Sequence, residues 1–173
     1  MFKLLYARQR AEWLTALRFK KSVYNPFMDT ILQLTDYGFY CIPGDFYIDP
    51  WKRVERAVIT HAHADHARWG HQRYLTSREG LGVLRHRMHR DATILALSYG
   101  ETLEHRGVRL SLHPAGHVLG SAQIRMEYKG RVAVITGDYK VESDRTCSAF
   151  EPVRCHLIVS ESTFALPIYR WKP

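Results

Sequence analysis

Short apolar runs separated by turn residues dominate the chain from Met28 onward. Ile31-Leu32-Gln33-Leu34-Thr35 reads as a strand, Asp36-Tyr37-Gly38 as a turn, and Phe39-Tyr40-Cys41-Ile42 as the returning strand. Phe46–Ile48, Arg56–Thr60, Tyr74–Thr76 and Thr93–Ser98 are further short strand signals. Ser77 can cap a helix running to about Arg90, with Leu81, Leu84 and Met88 on its apolar face and a basic opposite face. Two hairpins follow, Thr102–His105 with Val108–His113 around Arg106-Gly107, and Ala122–Tyr128 with Val132–Thr136 around Lys129-Gly130. Cys155–Ser160 is the last strand expected. The pattern predicts a β-rich α/β (α+β) domain with its polar clusters on loops at strand ends.

Composition leaves that picture in place. The 173 residues are 46% hydrophobic and 24% charged, as in soluble globular domains. No apolar run approaches the roughly 18 residues of a membrane helix, and the basic N-terminus lacks the features of a secretory signal. A cytoplasmic protein without a membrane partner is therefore expected. Cys41, Cys147 and Cys155 are widely spaced and predict free thiols. The net charge of +8 favours polyanionic partners. Much of it lies in residues 1–27, where Lys3, Arg8, Arg10, Arg18, Lys20 and Lys21 face only Glu12, and Asn25-Pro26 breaks any helix. Residues 1–27 are expected to be a basic leader outside the fold, and 28–173 to form the domain.

Histidine placement changes the picture most. His61, His63, Asp65 and His66 follow an apolar strand directly. Imidazole with carboxylate suits zinc, manganese or iron. Ala62 and Ala64 are small enough to let alternate side chains converge. His61 and His63 can reach one ion, and Asp65 and His66 a neighbour; two ions about 3.5–4 Å apart can clamp a phosphoryl oxygen. His117 sits between Gly116 and Gly120 in a tight loop, and Asp138 ends the strand that closes the second hairpin. His113 precedes the His117 loop, where it can support a ligand. His86 and His89 are expected on a solvated helix face, with Arg85, Arg87 and Arg90 as candidate phosphate contacts.

The phrases GDFYIDP, ITHAHADHA, HPAGHVLGSAQ, TGDYK and ESTF together resemble the metallo-β-lactamase-fold hydrolases. Within them they resemble the β-CASP nucleases, and most of all the bacterial ligase-associated DNA exonucleases. The resemblance implies the N-terminal portion of an αββα sandwich, truncated before the β-CASP cap and the C-terminal half. It implies two divalent ions, zinc or alternatively manganese. His61, His63 and His117 would hold the first, Asp65 and His66 the second, and Asp138 both; the second site would lack a histidine from the missing half. Asp49 would orient a ligand, Glu161 would lie near the scissile phosphate, and Asp65 and Asp138 would serve catalysis. The expected activity is 3′-end processing of DNA in repair, beside an ATP-dependent DNA ligase, with reduced or no activity in this chain. An RNA-processing β-CASP nuclease is the alternative. A small-molecule metallo-hydrolase such as a lactonase or thioesterase, or an inactive fragment, are readings of another class.

Overall fold

The computed structural model describes residues 31–162. The expected leader at 1–27 and Thr163-Phe164 of the ESTF phrase lie outside the described residues. Six strands form the first sheet in sequence order: β1 (Leu32–Thr35), β2 (Gly38–Cys41), β3 (Phe46–Ile48), β4 (Arg56–Val58), β5 (Arg73–Ser77) and β6 (Thr93–Leu97). The strands β1, β2 and β3 pair antiparallel, and the pairs from β3 to β6 are parallel. Five strands form the second sheet: β7 (Thr102–His105), β8 (Val108–Pro114), β9 (Ala122–Tyr128), β10 (Arg131–Ile135) and β11 (Leu157–Val159). Neighbours there are antiparallel except β10 with β11. Both expected hairpins form. Positive φ at Arg106 and Gly107, and again at Lys129 and Gly130, matches the right-handed twist of the flanking strands.

Alternation along the strands builds the core. Ile48, Val58, Leu75 and Leu97 from the first sheet meet Leu110, Leu112, Ile124, Met126, Ala133 and Val159 from the second, all buried in one cluster. The other face of the first sheet carries a smaller cluster: Ala57, Ile59, Ala67 and Tyr74 packed on Leu84 of α1 (Leu81–Arg87) and on Met88 just after it.

This helix is much shorter than the expected Ser77–Arg90. Ser77 still belongs to β5, and its hydroxyl is committed to the loops, donating to Gly120 O at 2.6 Å and accepting from Gly80 N at 3.0 Å. The helix starts instead after Gly80, with no side-chain cap, and ends where Met88 turns extended. Basic residues Arg85, His86 and Arg87 occupy its last turn, where they complement the helix dipole.

The expected αββα layering is not what the described residues form. They make two stacked sheets with one seven-residue helix on one outer face. Most of the intervening sequence is spent on strands and polar loops, and no helix among the described residues covers the second sheet. Nor is any helix among them long and apolar enough to cross a membrane.

A candidate metal centre at the strand ends

The site grows from Thr60, which follows β4. Its backbone carbonyl accepts a hydrogen bond from Ala122 N at 2.8 Å, tying the end of the first sheet to the start of β9. Its hydroxyl donates to Asp49 Oδ2 at 2.5 Å, and its amide donates to Asp49 Oδ1 at 2.8 Å. Asp49 can take this role because it follows β3 directly with a φ of 43°, a left-handed bend that Asp tolerates better than most residues. The same Asp49 Oδ2 accepts from His66 Nδ1 at 2.7 Å. Asp49 and Thr60 therefore set the orientation of the loop before any ion is considered.

His61 is wholly buried, with Nδ1 3.2 Å from Thr60 Oγ1. The Thr60 proton is already given to Asp49, so Thr60 accepts from His61 Nδ1–H and leaves the Nε2 lone pair facing inward. His61 Nε2 lies 2.9 Å from His63 Nδ1, and His117 Nε2 lies 3.4 Å from the same His63 nitrogen. Asp138 faces two ways: its Oδ2 is 3.9 Å from His61 Nε2 and 3.7 Å from His117 Nε2, while its Oδ1 is 3.3 Å from His66 Nε2. One donor atom from each of His61, His63, His117 and Asp138 lies within 4.8 Å of the others.

The second sheet contributes its share through two loops. Ser121 Oγ accepts from the amides of His117 and Val118 at 3.0 and 3.2 Å, which closes the loop around His117. Gly120, with φ 76°, is packed against the backbone of Gly80, and any side chain there would collide with it. Gly137 lets Asp138 leave β10 close to Thr60, because a Cβ on Gly137 would lie 2.7 Å from the threonine side chain.

The electrostatics follow from burial and crowding. Burial, then the positive potential of His66, holds His61 down to about 3, so its imidazole is neutral and ready to donate a lone pair. Burial also lowers His117. Burial works against protonation of His66 too, but the carboxylates of Asp138 and Asp49 outweigh it and hold the ring up to about 10. Asp138 resists the upward push of burial through its bond to His66, and its pKa falls below the usual range.

Three imidazoles and one carboxylate form a set capable of chelating a divalent ion. The set consists of the three histidines expected of the first site together with Asp138, which was expected to serve both ions. Asp65 is largely exposed on the turn, its Oδ2 3.8 Å from His66 Nε2. His113 binds Ser111 Oγ at 3.1 Å and Glu151 Oε1 at 3.0 Å, directing its ring into the second sheet's loops. Glu161 lies close enough for its charge to raise the pKa of His117. His86 is exposed on α1, and His89 is exposed beside Asp91. Sequence reasoning passed over Thr60, Ser121 and Gln123. Ser121 stood in the phrase around His117, but a serine after glycine carries no distinctive signal. Gln123 is buried, its amide donating to Pro114 O at 2.9 Å and Glu151 O at 2.6 Å.

No family model matches the chain. A probable DNA ligase of Opitutus terrae is 29% identical over 139 residues, covering 79% of this chain and 14% of the ligase. Endoribonuclease YSH1 of Candida albicans is 38% identical over 73 residues, covering 41% of this chain and 8% of that protein. Cleavage and polyadenylation specificity factor subunit 3 of Dictyostelium discoideum is 33% identical over 73 residues, 41% of this chain and 9% of that protein. The chain thus spans between 8% and 14% of the length of the curated relatives it matches. A solved structure of a protein of unknown function from Enterococcus faecalis aligns with a TM-score of 0.40 at 14% identity, over 50% of this chain and 25% of its own.

These findings correct three expectations. Among the described residues two stacked sheets and one short helix stand in place of the αββα layers, so the metallo-β-lactamase, β-CASP and ligase-associated exonuclease assignment does not stand. DNA as preferred partner, with a DNA ligase beside it, gives way as well. Relatives named as endoribonucleases or a polyadenylation factor match at 33–38% identity, against 29% for the ligase. DNA-repair exonuclease activity falls with them.

Proposed function

We propose that the chain carries the metal-binding part of a hydrolase that cleaves phosphodiester bonds in RNA. The observation that carries this is the convergence of His61, His63, His117 and Asp138. The relatives named as endoribonucleases supply the substrate class.

A divalent ion in this set, zinc or manganese, supplies Lewis-acid stabilisation of charge on a phosphoryl oxygen. The remaining work belongs to the chain. His61, His63 and His117 present ring nitrogens from both sheets. Thr60 fixes the His61 tautomer, and Asp49 fixes Thr60. Asp138 turns one oxygen to the histidine trio and the other to His66. That two-way placement supports extending the reading to a second ion held by Asp65, His66 and Asp138. Glu161, whose charge acts on His117, would contact substrate near the scissile phosphate. The reading takes the protein as cytoplasmic, where Cys41, Cys147 and Cys155 would stay as the free thiols observed.

The test is cleavage of end-labelled RNA and DNA with added zinc or manganese, alongside metal analysis of the purified chain. RNA should be cut in preference to DNA, and His63→Ala and Asp138→Ala should each lower the rate about 100-fold or more. RNA cleavage that persists unchanged in both variants, or a folded chain that binds no divalent ion, overturns the proposal.

A further inference from the structure

A second feature lies beside the metal loop and plays no part in the site described above. Trp51, Lys52, Arg53, Ala64, Ala67, Arg68, Trp69 and Arg87 line a cleft of about 340 Å³. Ala64 and Ala67 belong to the same loop as His63, Asp65 and His66, and Trp51 lies two positions after Asp49. The cleft is therefore built on the backbone that carries the candidate ligands.

Its chemistry is unusual for a solvated surface. Trp69 is 70% exposed, a large apolar area left in water. The Arg53 guanidinium lies over the Trp69 ring, 5.8 Å from its centroid. Gly70 makes room for this: with φ 98°, its missing Cβ would sit 2.7 Å from Arg53 Nε. Lys52 extends over the ring of Tyr37 at 4.9 Å, and Tyr37 continues into Tyr47 and Tyr40, with centroids 6.0 and 4.7 Å apart in turn. Elsewhere on this sheet cations are neutralised, as where Arg56 pairs with Asp45 and Glu55. Among the described residues Lys52, Arg53, Arg68 and Arg87 have no carboxylate partner, although all four are exposed.

Exposed aromatic faces interleaved with unpaired cations suit a chain of stacked bases joined by phosphates. We propose that this cleft binds single-stranded nucleic acid, seating one base against Trp69 and its flanking phosphates against Arg53, Arg68 and Lys52. Tyr37 and Tyr47 extend the same track. The sugar is not distinguished by these groups; RNA is the expected strand because the inference rests on the proposed RNA hydrolase. The cleft would hold a segment of strand beside the scissile phosphate and so position it at the metal loop.

The experiment is fluorescence anisotropy of a labelled single-stranded oligoribonucleotide on the full chain in EDTA, so that binding is read without cleavage. Duplex RNA and single-stranded DNA are measured in parallel. Trp69→Ala should weaken single-strand binding about tenfold. Arg53→Gln and Arg68→Gln should each flatten the dependence of log affinity on log salt by about 0.7. Lys129→Gln, on the distant β9–β10 hairpin, should leave both unchanged. Thermal unfolding of each variant confirms folding, which substitution of exposed side chains leaves intact. Wild-type affinity in the Trp69 and arginine variants overturns the inference, as does a folded wild-type chain that binds no single strand or binds duplex equally well. Trp69-dependent binding without metal-dependent cleavage leaves the cleft assigned and removes the hydrolase. Cleavage that proceeds without Trp69-dependent binding does the reverse.

Discussion

His71 shows how one residue away from the metal centre can govern pH behaviour. It is buried, its Nδ1 accepts from the Val54 amide at 3.2 Å, and its Nε2 has no hydrogen-bond partner among the described residues. Burial holds its pKa down to about 4, and a second proton would have to displace the Val54 bond. The unfolded chain takes up that proton near pH 6.5, so the folded state loses relative stability as pH falls from about 6.5 towards 4. Above that window both states are neutral and His71 contributes no pH dependence. Unfolding midpoints in urea should fall through this window in the wild type, and His71→Gln should remove part of the slope. An identical slope in the variant contradicts the assignment. At the same scale, Asp49 and Thr60 illustrate interactions that local sequence hides: each is ordinary at a strand end, and their bond spans 11 residues.

The helix α1 is the element whose length differs most from its sequence signal. Apolar spacing at Leu81, Leu84 and Met88 marked its inward face, and Leu84 and Met88 are indeed buried. Its ends were illegible because Ser77 was engaged by Gly120, 43 residues away. Leu84 packs in the same small cluster as Ala67, which belongs to the loop of His63 and His66. Leu84→Ala should cost about 2–5 kcal/mol by leaving a cavity. It should also weaken zinc binding measured by competition with a chelating dye, because Ala67 anchors the loop. Lower thermal stability with unchanged zinc affinity would show that helix and metal loop are uncoupled. The hairpins, by contrast, were legible, since Arg106-Gly107 and Lys129-Gly130 supply positive φ locally.

Across the whole molecule the candidate metal centre joins the two sheets. His61 and His63 follow β4 in the first, while His117 and Asp138 leave the β8–β9 and β10 ends of the second. An ion held by all four would tie the sheets together and favour the folded state by mass action. Zinc at roughly 100 times its Kd should stabilise the chain by about 2.7 kcal/mol, seen as a higher unfolding midpoint. A chelator should reverse the rise, and His117→Ala, which removes one sheet's imidazole, should blunt it. A midpoint indifferent to zinc would mean that the four groups do not chelate.

The sequence by itself determined what depends on neighbours along the chain. Period-two alternation named the strands, glycine turns named the hairpins, and histidines two to five positions apart announced metal chemistry. Tertiary structure alone decided what depends on distant segments meeting. It brought His117 to His63 across 54 residues, set Thr60 between Asp49 and His61, divided the two oxygens of Asp138 between His66 and the histidine trio, and left Trp69 exposed beside unpaired cations. Among the described residues it also set two stacked sheets and one short helix where the αββα layers were expected, because the layer that covers a sheet is chosen by packing among remote segments, which no local pattern records.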